Sequence, residues 1–274
     1  RLSAGRQSSL KTMDKGDAEI APVLNPVKTM DKGDAEIEPV LNPVETIDKG
    51  AAEIDTVLNP IEVSLSVDLA SAYVFRGSTF NDGAVLQPGI EIGGLPISLG
   101  VWANADIGDY DGALADGEFS EIDFYGSYTL PIPSDVLEVS LGYCEYTYPG
   151  AESDADREVS LSFSLGVPLS PSIAVNQGVD GGINKTTYVE AGISHGFDVQ
   201  RVSVELSAAV GYVSPDEGES GVSHVDASIS LSYGVASLSV TSVSQIDEDV
   251  LPDVEDDGSY DVGVYGMIGL SNTF

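Results

Sequence analysis

The sequence predicts an all-β fold: a twelve-stranded antiparallel transmembrane β-barrel that follows a largely non-regular N-terminal repeat segment. Two observations from Val63 onward support this prediction. Apolar residues alternate with small polar residues at a period of two, and the connections between the alternating runs fall into a short class and a long class. A third observation is the final strand-like run, residues 261–274, which ends on the aromatic Phe274.

The composition combines much apolar surface with a large excess of acid. The 274 residues include 45 acidic and 11 basic side chains, a formal charge of -34, yet the mean hydropathy is +0.06. No basic patch could meet phosphates, so nucleic acid is excluded as a partner. No apolar run is long enough for a transmembrane helix, and residues 1–10 lack the apolar core of a signal peptide, so we expect any export signal to have been removed.

Residues 1–62 differ from the rest because they contain a 17-residue repeat in three copies, at residues 12–28, 29–45 and 46–62. Prolines interrupt each copy, and Asp-Lys-Gly and Leu-Asn-Pro are turn sequences. Each copy offers too few apolar residues to offset the entropy of ordering it alone. We therefore predict that this segment either plugs the barrel lumen or contacts a neighbouring subunit.

Residues 63–274 form the predicted barrel. The twelve alternating runs cover approximately residues 62–77, 84–95, 97–107, 118–130, 136–148, 157–168, 171–180, 185–196, 200–213, 222–234, 236–246 and 259–274. In each run, one of the two alternating sets of residues is aliphatic, with tyrosines near strand ends, and the other set is small and polar. This is expected for a wall that faces lipid outside and a lumen inside. Because twelve is even, both ends of the barrel are predicted to be periplasmic.

The connections between runs alternate in length. The short ones, rich in Gly and Pro, are residues 93–96, 131–135, 168–171, 196–198 and 233–235. The longer or more acidic ones are residues 106–118, 149–156, 214–220 and 247–258. Short periplasmic turns and longer external loops are typical of outer-membrane barrels. A last strand that ends on Phe, as at Phe274, is similarly typical of bacterial outer-membrane barrels, and we expect this strand to close against the one that starts near Val63.

Several short motifs resemble the porin family of the Gcw_chp or TorF type. They are Ser71-Ala-Tyr-Val-Phe-Arg-Gly77, Gln87-Pro-Gly-Ile90, Gly100-Val-Trp102, Glu121-Ile-Asp-Phe-Tyr125 and Gly142-Tyr-Cys-Glu-Tyr-Thr-Tyr-Pro-Gly150. The resemblance spans about residues 63–274 and implies an outer-membrane diffusion pore without established catalytic residues. The triple repeat before Val63 departs from the family pattern.

Strand parity places a set of charged residues on the inward side. These pore-lining candidates are Asp68, Arg76, Glu91, Glu121, Asp123, Glu138, Glu158, Glu190, Glu205 and Asp226. A lumen lined by carboxylates would attract cations and repel anions, although some of these acids could instead pair with bases or solvate a filled interior. Arg76, predicted at the end of the first strand, would pair with lumen carboxylates or steer a substrate.

The longer loops carry acidic clusters. Residues 247–258 contain seven carboxylates, and Asp106, Asp109, Asp111, Asp116 and Glu118 form a second group. Oxygen ligands at this density could bind Ca²⁺ or Mg²⁺ weakly, at Asp247, Asp249, Asp253, Glu255, Asp256 and Asp257, or could simply form a solvated acidic surface. The spacing matches no complete EF-hand loop, and no other cofactor is predicted.

Serine and histidine chemistry is the remaining enzymatic alternative. His195 and His224 lie on different runs among many serines, as a Ser/His hydrolase would require, but no motif marks one serine as a nucleophile. The discriminating observation is a serine oxygen within hydrogen-bond reach of a histidine ring. The lone Cys144 is predicted to be a packing residue or, alternatively, a reactive thiol.

The sequence therefore predicts a non-enzymatic, porin-like channel for small solutes in outer-membrane lipid, favouring cations and either open or plugged by residues 1–62. The alternative is a structural outer-membrane protein whose repeats join neighbouring barrels into a homo-oligomer or lattice.

Overall fold

A computed structural model describes residues 61–94, 96–107, 117–149, 151, 153–247, 249–251 and 262–274. Residues 1–60, which hold the repeats except their last two residues, and most of the long acidic loop, at residues 252–261, lie outside this set, so the predicted plug or inter-subunit role of the repeats stays a prediction.

The described residues form a closed antiparallel barrel of twelve strands, as predicted. The barrel strands are numbered in chain order as β1 and β4–β14, because a separate hairpin supplies β2 (Tyr73–Phe75) and β3 (Ser78–Asn81). The barrel strands are β1 Glu62–Ala70, β4 Val85–Gly93, β5 Ile97–Asp106, β6 Phe119–Thr129, β7 Leu137–Thr147, β8 Asp156–Leu165, β9 Ser172–Asp180, β10 Thr187–Val199, β11 Val202–Ser214, β12 Gly221–Tyr233, β13 Ala236–Gln245 and β14 Val264–Thr273. A short 3₁₀-helix, Gly181–Ile183, lies between β9 and β10.

The barrel closes between its first and last strands, as the position of Phe274 predicted. β1 pairs antiparallel with β14, with Ser64 opposite Thr273, and Val63 and Phe274 exchange two backbone hydrogen bonds of 3.2 and 3.0 Å. Both ends of the barrel sequence therefore lie at one end of the barrel, which we call the short-turn end. The opposite end, where the longer connections lie, is the long-loop end.

Two predicted boundaries were wrong. The first run continues to residue 77 in the sequence pattern, but β1 ends at Ala70, and Arg76 lies outside the barrel wall. The predicted turn at residues 196–198 lies within β10, which continues to Val199, and the chain reverses at Gln200, whose φ is +59°. The alternation of Phe197 and Val199 with Asp198 extends the strand pattern to this point.

The wall has an apolar outer face and a polar inner face. Along β1 the aliphatic side chains Leu65, Val67 and Leu69 are exposed, while the alternating polar residues are partly covered. The exposed tyrosines Tyr212 and Tyr233 lie at opposite ends of neighbouring strands, as residues at the two membrane interfaces would. Nowhere in the described ranges is there a helix with the length and apolar character needed to cross a membrane.

The β1–β4 connection, at the long-loop end, contains the hairpin of β2 Tyr73–Phe75 and β3 Ser78–Asn81. It forms its own two-stranded sheet and is not part of the barrel ladder. Phe75 packs against all three buried clusters of the described residues, whose members come from β1, β4, β5, β7, β10 and β11, the hairpin itself and the 3₁₀-helix. The hairpin, called the lumen hairpin (residues 73–81), therefore fills the barrel interior near the long-loop end.

Candidate functional site

The tip of the lumen hairpin is Arg76-Gly77. Both residues have a positive φ, +47° and +87°, as the two central residues of a type I′ hairpin turn require. The turn places the Arg76 side chain, which is only 3% exposed, against the far wall of the barrel.

Arg76 forms a bidentate ion pair with Glu158 of β8. Its Nη1 and Nη2 donate to Glu158 Oε2 and Oε1 at 2.9 and 3.0 Å. The guanidinium carbon also lies 4.1 Å from the ring centroid of Tyr188, a cation–π contact. Burial alone would lower the pKa of Arg76, but the charge of Glu158 and the phenols of Tyr146 and Tyr188 outweigh it and raise the pKa, so the guanidinium remains charged.

Tyr73 attaches the first strand of the hairpin to β6. Its hydroxyl donates to Glu121 Oε2 at 2.8 Å, and its ring stacks on Phe80 at 5.2 Å and tilts against Trp102 at 5.6 Å. Burial raises the pKa of Tyr73 well above its ordinary value, and the negative charge of Glu121 acts in the same direction. The phenol is therefore held in its neutral, donating form.

Gly77 approaches β12 and β13 on the other side of the tip. A Cβ atom at Gly77 would lie 2.7 Å from Cβ and Cγ of His224, so no larger residue fits there without displacement. The Gly77 carbonyl accepts a 3.0 Å hydrogen bond from Gln245 Nε2. At the base of the hairpin, Asn81 Nδ2 donates to Asp106 Oδ1 at 2.6 Å.

The predicted pore-lining residues are divided between two environments. Glu121, Asp123 and Glu158 are 3%, 1% and 2% exposed and lie in the wall around the lumen hairpin, whose tip carries the buried Arg76. The others are partly or fully exposed: Asp68, Glu91, Glu138, Glu190, Glu205 and Asp226. Glu91 accepts a hydrogen bond from Tyr125 and Glu190 accepts one from Tyr188, at 3.2 and 2.9 Å. Among these residues, Glu121 and Glu158 accept hydrogen bonds from the hairpin, from Tyr73 and Arg76 respectively.

The contact that would favour a hydrolase is present at His224. Ser223 Oγ lies 3.0 Å from His224 Nδ1, and Asp226 Oδ2 lies 3.6 Å from Nε2. Both Ser223 and His224 are buried, at 1% and 2% exposure, beneath Gly77. With the hairpin tip over it, Ser223 is covered, and in this arrangement its contact holds the imidazole in place. His195 is exposed on β10, away from this pair.

The proposed metal-binding loop is only partly described. Asp247 and Asp249 are exposed, and the Asp249 amide donates to Asp247 Oδ1 at 3.1 Å, which makes a local turn. Asp253, Glu255, Asp256 and Asp257 lie outside the described residues, so metal binding there stays a prediction. Within the described part of the chain no group of three or more potential ligands could hold a metal ion. Cys144 is buried and packs with Tyr146 and Ile183.

The family match falls on the segment that forms this barrel and hairpin. The sequence profile described as "Bacterial protein of unknown function (Gcw_chp)" matches residues 55–268. The chain belongs to the Gcw_chp family. The Gcw_chp match includes the lumen hairpin and every wall residue that contacts it. No curated protein matches the chain.

Solved structures resemble this Gcw_chp chain only distantly. LpxR from Salmonella typhimurium has a TM-score of 0.43 and 10% identity, and the match covers 76% of this chain and 99% of that one. The COG4313 outer membrane channel from Pseudomonas putida F1 has a TM-score of 0.44 and 6% identity, with 83% and 100% covered. OmpF from Salmonella typhi, in complex with daunomycin, has a TM-score of 0.36 and 8% identity, with 78% and 97% covered. At these scores the likenesses assign no activity to this chain.

Several residues of the site were not singled out by the sequence analysis: Tyr73, Gly77, Tyr188, Ser223 and Gln245. The available signal was Gly77, the last residue of the first alternating run, because a Gly at such a position favours a turn. No local pattern shows which wall residues the hairpin would meet, since those contacts come from strands distant in sequence.

Proposed function

We propose that this chain is a porin-like channel of the bacterial outer membrane that passes small solutes, favours cations and is narrowed at the long-loop end by its lumen hairpin. The observation that carries the proposal is a closed wall that is apolar outside and small and polar inside. Such a wall can stand in lipid while leaving a wet interior.

The lumen beyond the hairpin supports passage of solutes. Toward the short-turn end the inner wall carries hydroxyl side chains that pair across neighbouring strands, such as Ser98 with Ser127 at 2.8 Å and Thr129 with Ser140 at 3.1 Å. We infer that such short side chains leave room along the axis of a twelve-stranded barrel. The residues that fill the lumen are concentrated around the hairpin at the other end.

The charges of the barrel segment favour cations. Its four basic residues are Arg76, Arg157, Lys185 and Arg201. Arg76 is paired with Glu158, Arg157 pairs with Glu145 and Asp180, and Lys185 pairs with Asp216. Arg201 is exposed beside the β10–β11 turn. The partly exposed inward acids Asp68, Glu91, Glu190, Glu205 and Asp226 therefore have little positive charge near them to reduce their attraction for cations.

The orientation follows from the two classes of connection. We place the short-turn end, with both ends of the barrel sequence, in the periplasm, and the long-loop end outside, because outer-membrane barrels have short periplasmic turns. Residues 1–62 would then lie on the periplasmic side, where they could plug the lumen or join a neighbouring barrel. The lipid of the outer membrane is the one partner that this architecture requires.

Ion selectivity in planar bilayers tests the proposal. Under a KCl gradient the reversal potential should show a K⁺/Cl⁻ permeability ratio above one, and the triple change D68N/E91Q/E205Q should move the ratio toward one. The matched control D154N/E217Q/E219Q removes the same charge from exposed loop residues and should change the ratio less. Anion preference would contradict the cation selectivity. Absence of conductance in the full chain, in a chain beginning at Val63 and in a chain with a displaced hairpin would contradict the channel.

A further inference from the structure

The buried position of Arg76 is a cation site built by the barrel wall. Glu158 presents both carboxylate oxygens to the guanidinium, and Tyr146 donates its hydroxyl to Glu158 Oε1 at 3.2 Å. Such a planar, bidentate arrangement matches a guanidinium group better than the point charge of an ammonium group. The carboxylate is therefore both held and oriented for this cation.

An aromatic face completes the site. The Tyr188 ring lies 4.1 Å from the Arg76 guanidinium carbon, and its own hydroxyl donates to Glu190 Oε2 at 2.9 Å. The ring is parallel to His224 within 3°, at a centroid distance of 6.3 Å. These contacts fix the orientation of Tyr188 without help from the hairpin, so its face remains available to a cation if the hairpin moves.

A further acceptor at the site is not used by Arg76. Asn176 is 1% exposed, and its Oδ1 has no hydrogen-bond partner among the described residues. Asn176 lies on β9, between the strands of Glu158 and Tyr188, and pairs in register with Tyr188. The Nε of Arg76 also has no partner in the described part of the chain. A free guanidinium ion, which is not bound to a peptide chain, could take a position that reaches this oxygen.

We propose that Tyr146, Glu158, Asn176 and Tyr188, here called the wall cation site, bind small solutes that carry a guanidinium group, and that Arg76 occupies the site as an internal competitor. All four residues come from the barrel strands β7–β10, so the site persists when the hairpin leaves it. Its role in solute selection rests on the proposed channel function, but binding to the site does not. If the chain is a channel, guanidinium solutes are therefore its substrate class.

Chemical rescue of an emptied site tests the inference. Arg76→Ala removes the competitor and leaves the buried Glu158 without its positively charged partner, so guanidinium chloride at millimolar concentration should raise the thermal unfolding midpoint of R76A in detergent. KCl at the same concentration is the control for ionic strength, and tetramethylammonium chloride is the control for a cation without donors. Arg76→Lys provides a second variant that retains a charge at the hairpin tip if R76A does not assemble.

The double variant R76A/E158Q identifies where guanidinium acts. In this variant the bidentate charge-assisted bonds to Glu158 are lost. The guanidinium concentration that gives half of the maximal rise in the thermal midpoint should therefore be about tenfold higher than for R76A. In bilayers, guanidinium should reduce the K⁺ current of R76A at concentrations that leave wild type unaffected.

The outcomes of these measurements distinguish the wall cation site from the channel function. Equal protection of R76A and R76A/E158Q, or protection no greater than with KCl, would overturn the wall cation site while leaving the channel intact. Protection of R76A alone, without conductance in any variant, would support the site and refute the channel.

Discussion

Replacing Gly77 by alanine should displace the lumen hairpin from its place against His224. The new Cβ would lie 2.7 Å from Cβ and Cγ of the imidazole, and the backbone at this position has a φ of +87°, which side-chain-bearing residues rarely adopt. His224 cannot retreat, because Ser223 bonds its Nδ1 at 3.0 Å and Gly211 lies so close behind the ring that it has no room for a Cβ of its own.

The expected cost has two parts. Left-handed backbone at a residue other than glycine costs about 1–2 kcal/mol, and overpacking in a filled interior adds about 1–3 kcal/mol. A total of about 3 kcal/mol would change the ratio of seated to displaced hairpin by about a hundredfold. The Gln245 bond to the Gly77 carbonyl would be lost with the same displacement.

Gly117 provides the matched control. Its φ is +82°, but none of the described residues lies within 4 Å of a Cβ atom built on it, so G117A carries the backbone strain without the collision seen at Gly77. Single-channel recordings should show longer or more frequent open intervals in G77A than in G117A. Hydrogen exchange of the hairpin amides should accelerate in G77A only. Equal open probability and equal exchange in the two variants would refute the proposed role of the Gly77–His224 contact.

Three other expectations concern the Arg76–Glu158 ion pair, Tyr73 and the acidic loop at residues 247–258. Glu158→Gln leaves the buried Arg76 guanidinium without its counter-charge, so it should destabilise the seated hairpin by about 3 kcal/mol and lower the thermal midpoint, whereas Glu219→Gln in an exposed loop should leave it unchanged. The raised pKa of Tyr73, due to burial and then to Glu121, means that the folded state retains a proton that an unfolded tyrosine loses near pH 10; this contribution to stability is full below about pH 10 and falls as the pH rises above it. Thermal midpoints between pH 8 and pH 11 should therefore fall more steeply in wild type than in Tyr73→Phe, and equal slopes would contradict the shift. Calorimetric titration with Ca²⁺ should show weak binding that is lost when Asp253, Glu255, Asp256 and Asp257 are changed to amides, and no heat together with no stability change would exclude the predicted metal site.

The barrel was predictable because its determinants are local. A wall with lipid on one side and polar side chains on the other imposes a period of two on each strand, and Gly and Pro mark the short turns. The pairing of β1 with β14 followed from the even number of runs and the position of Phe274. The extension of β10 to Val199 was missed because Gly196 was interpreted as part of a turn.

The lumen hairpin was not predictable in the same way. Residues 71–77 continue the alternation of the first run, so the pattern gave no reason to end the strand at Ala70. A hairpin inside a barrel contacts the wall with both of its own faces. The wall residues that Arg76 contacts, such as Glu158, are more than 80 positions away in the sequence. The inward parity of Glu158 was visible in the sequence, but its particular pairing depends on the closure of the barrel and the fold of the β1–β4 connection.

The most direct measurement is the conductance of a full chain in which residues 73–81 are replaced by a Gly/Ser linker of equal length. If the hairpin narrows the lumen, this protein should still assemble as a heat-resistant barrel in detergent, and its single-channel conductance in planar bilayers should be several-fold larger than that of wild type, with the same preference for K⁺ over Cl⁻. An assembled barrel whose conductance equals that of wild type would contradict the assignment of the lumen hairpin as the constriction.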